Sequence, residues 1–196
     1  MNHRFPFLLV GFLLLPISCG QRATYIDTGG TESIVSVGEV DIQDIQRAAS
    51  GMLDSMLASG VLETARNQPA RVVVERVVND TSSRFDVGEL VYRMRSQLVN
   101  SGEAQVEGAY GPQAESAVAR RELERRAARS GQSAADLLRP DFSLKGRITQ
   151  LKRRAGQVRQ TTYTFRLTLF DLESGREAWT DYVEITKQGT KPSIGF

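Results

Sequence analysis

Catalysis needs side chains that can pass a proton or attack a bond, and this sequence is short of them. Among its 196 residues there is one histidine, His3, and one cysteine, Cys19. Both sit at the extreme N-terminus, so neither a Ser-His-Asp relay nor a Cys-His pair can be assembled in the body of the chain. The same shortage removes the nitrogen and sulfur ligands of a zinc site, and no acidic stretch has the spacing of a calcium loop. No metal and no cofactor is therefore expected. There is no Ser-x-x-Lys sequence, and the glycines form no phosphate loop. A pair of carboxylates, as in glycoside hydrolysis, is the remaining enzymatic arrangement, with Asp80, Asp86 and Glu89 the nearest set. Turn and helix-capping chemistry accounts for all three, so neither catalysis nor a small-molecule substrate is expected.

Charge is distributed unevenly. Between Phe142 and Phe170 there is no Asp or Glu, while Lys145, Arg147, Lys152, Arg153, Arg154, Arg159 and Arg166 all fall there. A field of this kind steers an acidic partner, an anionic polymer or lipid headgroups towards the segment. It equally describes a solvated hairpin that resists edge-to-edge aggregation. The whole chain has 25 Lys and Arg against 23 Asp and Glu. So near a balance makes a poor nucleic-acid binder.

Arg4 precedes an apolar run, Phe5 to Ile17, interrupted only by Pro6, Gly11 and Pro16. A transmembrane helix needs about 18 to 20 apolar residues, so the run has the length of a secretory signal core instead. It ends in Leu15-Pro16-Ile17-Ser18-Cys19-Gly20, which resembles the bacterial lipobox, with residues 1–18 as the signal peptide and Cys19 as the lipidated residue. Each buried methylene of an acyl chain contributes about 0.8 kcal/mol, so several chains on one cysteine anchor a protein stably. Gly20 in place of Asp after the cysteine favours the outer membrane. Residues 19–40 read as the lipidated cysteine and a short polar tether, with a strand possible at Ile34 to Val37.

The remaining chain, 41–188, has the length and apolar content of one globular domain, followed by a tail at 189–196. From Asp41, a candidate N-cap, Ile42, Ile45, Ala49, Met52, Leu53, Met56 and Leu57 recur at helical spacing, and Gly60 is the expected stop. The methionines fit a core-facing stripe better than a cofactor groove. Arg71 to Val78 reads as a buried strand. Asp86 with Glu89 forms an acidic capping box, flanked by Phe85 and Leu90 at staple positions, so a helix follows and runs to about Asn100. A short strand at Ala104 to Val106 would lie parallel to the first. A solvated helix at Gln113 to Arg129 and a helical turn at Ala134 to Leu138 come next. The last third alternates at period two: Phe142, Leu144, Gly146 and Ile148; then Tyr163, Phe165, Leu167 and Leu169; then Trp179, Val183 and Ile185. Gly156 and Glu173-Ser174-Gly175 mark the turns. The expected fold class is α/β, an α+β sandwich: a mixed sheet ending in a three-stranded antiparallel meander, with about three helices packed on it.

Arg71 to Val78 leading into Asn79-Asp80-Thr81-Ser82, the capped helix to Asn100-Ser101-Gly102, and Leu167 through the Gly175 turn to Trp179 together resemble the LpoB family. The similarity spans about residues 41 to 188. The resemblance implies an outer-membrane, periplasm-facing lipoprotein whose domain, related to the N-terminal domain of TolB, activates a bifunctional penicillin-binding protein. Such a protein docks on the synthase's small regulatory domain and stimulates glycan polymerisation and peptide crosslinking without covalent chemistry of its own. The expected partner contacts are Asn79, Asp80, Thr81, Ser82 and Arg84 of the loop, with Lys152, Arg153 and Arg154 of the basic hairpin. A structural envelope lipoprotein or assembly factor, holding an anionic polymer or another envelope complex through that hairpin, is the alternative.

Overall fold

The computed structural model of the chain describes residues 40–107 and 116–190. The leader, Cys19, most of the tether with its possible strand at 34–37, residues 113–115 of the third helix and residues 191–196 lie outside them.

Helix α1, Ile42–Ala58, buries Ile45, Ala48, Ala49, Met52, Leu53 and Met56, so the methionines belong to the core. Burying each large apolar side chain contributes about 1.5–3 kcal/mol, far more than helix propensity does. The Ser59 hydroxyl donates to the Met56 carbonyl at 2.6 Å, and Gly60 turns the chain at φ +70°. Asp41 precedes the helix, yet its side chain caps no helical N–H. It accepts instead from Lys187 of the last strand at 2.6 Å, and Asp44 lies 2.9 Å from the same ammonium.

This junction joins the start of the domain to its end. Burial alone would lower the Lys187 pKa, but the hydrogen bonds to Asp41 and Asp44 outweigh it and hold the ammonium above its ordinary value. A raised folded pKa means the stabilisation is complete below the unfolded value of about 10.4 and is lost as pH rises through the folded value. Lys187→Met is expected to cost about 1–3 kcal/mol at neutral pH. In denaturant titrations from neutral pH upward, the gap between variant and wild type should stay constant to about pH 10 and close above it; a gap that persists unchanged through the strongly alkaline range would contradict the assignment.

Strand β1, Ala70–Val74, pairs in parallel with β3, Ala104–Val106, and helix α2, Val87–Asn100, makes the crossover between them. The Asp86 carboxylate accepts from the Glu89 N–H at 3.1 Å, as its position requires. The Glu89 side chain does not complete the box; it pairs with Arg93 at 2.8 Å. Helix α2 buries Leu90, Val91, Met94 and Leu98, and packs with α1 on the same face of the sheet.

The strand expected over Arg71 to Val78 is two strands. After β1 the chain leaves the ladder, then re-enters it as β2, Val78–Asp80. Both pieces lie parallel to β4, Phe142–Ala155, with Val74 opposite Leu144 and Val78 opposite Arg147. Four steps on one strand thus face three on the other, which is the count of a bulge. The extra residue is accommodated at Gly146: a Cβ there would stand 2.8 Å from a Val77 methyl and 3.2 Å from Leu167. Gly146→Ala should therefore destabilise the fold by about 1–3 kcal/mol through overpacking. Val77→Ala added to it should recover part of the loss in a thermal melt; no recovery would place the strain elsewhere.

Strands β4, β5 (Val158–Asp171) and β6 (Glu177–Thr190) form the antiparallel meander, and the sheet order is β3-β1-β4-β5-β6, with β2 beside β4. The expected inward positions of β4 and β5 are buried, while Trp179, Val183 and Ile185 of β6 are half-buried. At the β5–β6 turn, the Glu173 N–H and then the Ser174 hydroxyl hold the Asp171 carboxyl below its usual range. β6 forms one margin of the sheet, and its inward-facing row includes Asp181 and Lys187.

Helix α3, Ala117–Ser130, buries only Leu123 and Ala127, in keeping with its charge. Helix α4, Ala134–Leu138, lies on the face of β1 opposite α1 and α2, where Arg71 Nη1 donates to the Leu137 and Leu138 carbonyls at 3.2 Å each. The result is a mixed sheet in an α+β arrangement with four helices among the described residues, the fourth being the helical turn expected at Ala134 to Leu138. The outer face of β4 to β6 carries an exposed row that includes Lys145, Arg147, Leu151, Arg153, Arg166 and Tyr182.

Candidate functional site

Pairing of β2 with β4 sets Asn79 opposite Ile148 and Asp80 opposite Thr149. Side chains alternate along a strand, so Asn79 faces the helix side of the sheet while Asp80 faces the outer side. The loop that follows folds on its own polar groups. Asn79 Oδ1 accepts from the Thr81 N–H at 3.1 Å and lies 2.7 Å from the Thr81 hydroxyl. Asn79 Nδ2 donates to the Ser83 carbonyl at 3.0 Å, and the Ser83 N–H donates to the Thr81 hydroxyl at 3.1 Å. These are the local side-chain bonds that favour Asn, Thr and Ser at turns.

Three residues of the meander then fasten the loop to the hairpin. Gln150 Oε1 accepts from both the N–H and the hydroxyl of Ser82, at 3.1 and 3.0 Å. Its Nε2 donates to the Tyr163 hydroxyl at 2.8 Å, and that hydroxyl lies 3.1 Å from Ser83 Oγ. Tyr163 is fully buried. Lys152 Nζ donates to Ser82 Oγ at 2.8 Å. The loop and the hairpin, 70 residues apart in sequence, thus form one surface.

Of the expected partner contacts, Asn79, Thr81, Ser82 and Lys152 come together here. Asp80 does not share their face; it pairs with Arg147 at 3.1 Å on the other side of the sheet. Arg84 is exposed beyond the loop. Residues 151–157 are all exposed, so Arg153 and Arg154 ride on an arm that projects past the core, where Arg154 Nε reaches only the Gly156 carbonyl of the turn, at 3.2 Å. Gln150, Tyr163 and Ser83 were not marked by sequence reasoning, although a phenol in a strand of inward-facing Phe and Leu asks for a polar partner.

The carboxylates are spent on structure: Asp80 on Arg147, Asp86 on the helix cap, Glu89 on Arg93. No group of three or more His, Cys, Asp or Glu side chains with metal-binding proximity occurs among the described residues. No helix among the described residues is long and apolar enough to cross a membrane. What the arrangement offers is a pre-formed polar surface bordered by cations.

The sequence profile of the family described as peptidoglycan-synthase activator LpoB matches residues 44–185, well over half of the chain. No curated protein matches the chain in sequence. Similar solved structures include the LpoB C-terminal domain from Escherichia coli, at 15% identity and TM-score 0.46, covering 72% of this chain and 98% of that one. The corresponding domain from Salmonella enterica gives 15%, 0.45, and the same two coverages of 72% and 98%. Lipoprotein GNA1162 from Neisseria meningitidis gives 17% identity and TM-score 0.37, covering 64% of this chain and 90% of that one. On the strength of the profile match, the chain belongs to the LpoB family of peptidoglycan-synthase activators.

Proposed function

We propose that this chain is an exported lipoprotein, acylated on Cys19 and held at the periplasmic face of the outer membrane, whose domain binds and activates a bifunctional penicillin-binding protein. The observation that carries the reading is the family match over residues 44–185. Docking would use the surface of Asn79, Thr81, Ser82, Arg84 and Lys152 against the synthase's regulatory domain. A loop already fixed by its own hydrogen bonds loses little freedom on binding, which favours affinity. Activation follows if the domain binds the active conformation of the synthase more tightly than the resting one and so shifts its population.

Glycan polymerisation by the host's own synthases, measured with and without the full chain, tests this directly. Arg84→Ala is informative because Arg84 is exposed, so the fold should survive while an interface arginine is removed. Affinity for the synthase is expected to fall about tenfold with an unchanged melting curve. Stimulation that the variant retains in full would remove Arg84 from the interface, and no stimulation by wild type would end the proposal. Cys19→Ser should release the chain from the membrane fraction.

A second reading is favoured by the projecting arm: Lys152, Arg153 and Arg154 would hold an anionic polymer or another envelope complex, making the chain a structural envelope lipoprotein. Crosslinking in intact envelopes separates the two, since recovery of a penicillin-binding protein supports activation and recovery of polymer alone supports the scaffold.

A further inference from the structure

On the outer face of the meander, the face opposite α1 and α2, lies an open cleft of about 370 Å³ whose walls include Arg76, Lys145, Arg147, Arg166, Glu75 and Phe170. Arg147 and Arg166 stand directly opposite each other in the β4–β5 ladder. Like charges in that relation destabilise a sheet unless something neutralises them. Neutralisation here is incomplete. Asp80 lies 3.1 Å from Arg147 and Glu75 lies 3.5 Å from Lys145, while Arg76 and Arg166 have no ion-pair partner among the described residues. Four cations thus face two carboxylates, leaving two positive charges over.

We propose that this cleft binds a phosphate group carrying two negative charges, of the monoester or diphosphate class. A dianion matches the two uncompensated charges; a single carboxylate would leave one guanidinium unmatched. Planar guanidinium forks on neighbouring strands suit paired hydrogen bonds to phosphate oxygens. The cations are mounted on regular strands, and Lys145 is held 5.2 Å from the centre of the Phe170 ring, so little ordering accompanies binding. The exposed part of Phe170 and the neighbouring Val78 give the cleft an apolar wall, against which the carbon skeleton of a phosphorylated ligand can lie.

The test is calorimetric titration of the full chain, in neutral detergent at low ionic strength and about pH 8, with sodium glycerol 3-phosphate, a monoester that is a dianion there. Saturable one-to-one binding with a Kd below about 1 mM is expected. Arg76→Gln with Arg166→Gln should weaken it at least about tenfold, and Arg166→Lys, which keeps the charge but loses the fork, by less. Arg153→Gln with Arg154→Gln, on the projecting arm, should leave it within about twofold. All of these side chains are exposed, so every variant should fold, and loss of the Arg166 charge opposite Arg147 should if anything raise the melting temperature. Absence of saturable binding, or equal weakening by both double variants, overturns the proposal, the latter because it indicates a diffuse field and not a site. Dihexanoyl phosphatidic acid, kept monomeric, identifies the source: tighter binding than glycerol 3-phosphate points to a lipid headgroup, and equal or weaker binding to a soluble phosphate. No synthase enters these titrations, so their outcome is independent of the docking reading.

Discussion

Replacing Asp141 by alanine is expected to cost about 3–5 kcal/mol, the usual loss when one member of a buried charged network is removed. Its side chain is only 3% exposed and receives three kinds of donor. Asn67 Nδ2 lies 2.9 and 3.1 Å from its two oxygens, the Arg71 N–H donates at 2.9 Å, and Arg66 Nε stands 3.6 Å away. Alanine would strand the backbone N–H and the amide, each costing about 1–3 kcal/mol when left unpaired. The main chain of the same residue is equally committed: its N–H donates to the Arg71 carbonyl at 2.8 Å, and its carbonyl accepts from the Leu172 N–H at 3.0 Å. Asp141 therefore stands where the parallel strands meet the meander. Asp141→Asn keeps the shape but turns a donor towards donors, so it should fall between wild type and alanine in urea titrations. Equal stability of asparagine and wild type would show that charge contributes nothing there.

Tyr163→Ala should have a comparable effect, about 3–5 kcal/mol, because it empties a fully buried aromatic site. The informative companion is Tyr163→Phe, which keeps the packing and removes only the hydroxyl that joins Gln150 to Ser83. Its expected cost is about 1–3 kcal/mol. The two differ in where the damage appears. Alanine should lower the global melting temperature, whereas phenylalanine should chiefly raise hydrogen exchange at the Ser82 and Ser83 amides, since their loop is held by Gln150 and Tyr163. If the docking reading is right, synthase stimulation should fall in Tyr163→Phe out of proportion to stability. Unchanged exchange in that loop would mean the hydroxyl does not hold it.

Local rules made much of this molecule legible. Asp86 with Glu89 three residues on placed the start of α2, and the period-two alternation from Phe142 to Leu169 gave the central strands and their inward faces, because both signals are complete within a few residues. The break between β1 and β2 was hidden for the opposite reason: Arg71 to Val78 is uniformly suited to a strand, and only its register against Leu144 to Arg147, with the space left at Gly146, interrupts it. Asp141 between Pro140 and Phe142 looks like an ordinary turn acid until Asn67 and Arg71 arrive from another part of the chain. The candidate surface was half visible. Its loop and its hairpin were each apparent, but their union depends on Gln150 and Tyr163 meeting across a ladder, and Asp80, adjacent to Asn79 in sequence, is turned to the other side by the strand itself.

The margin formed by β6 is 14 residues long. A run of open peptide groups of that length, on molecules that a lipid anchor would crowd into two dimensions, is an invitation to strand-by-strand polymerisation. An incoming strand would have to cover the half-buried Asp181 on the inward row of this edge, and desolvating that carboxylate opposes growth. A single inward-facing charge near the middle of β6 thus makes that edge a poor template for a second copy.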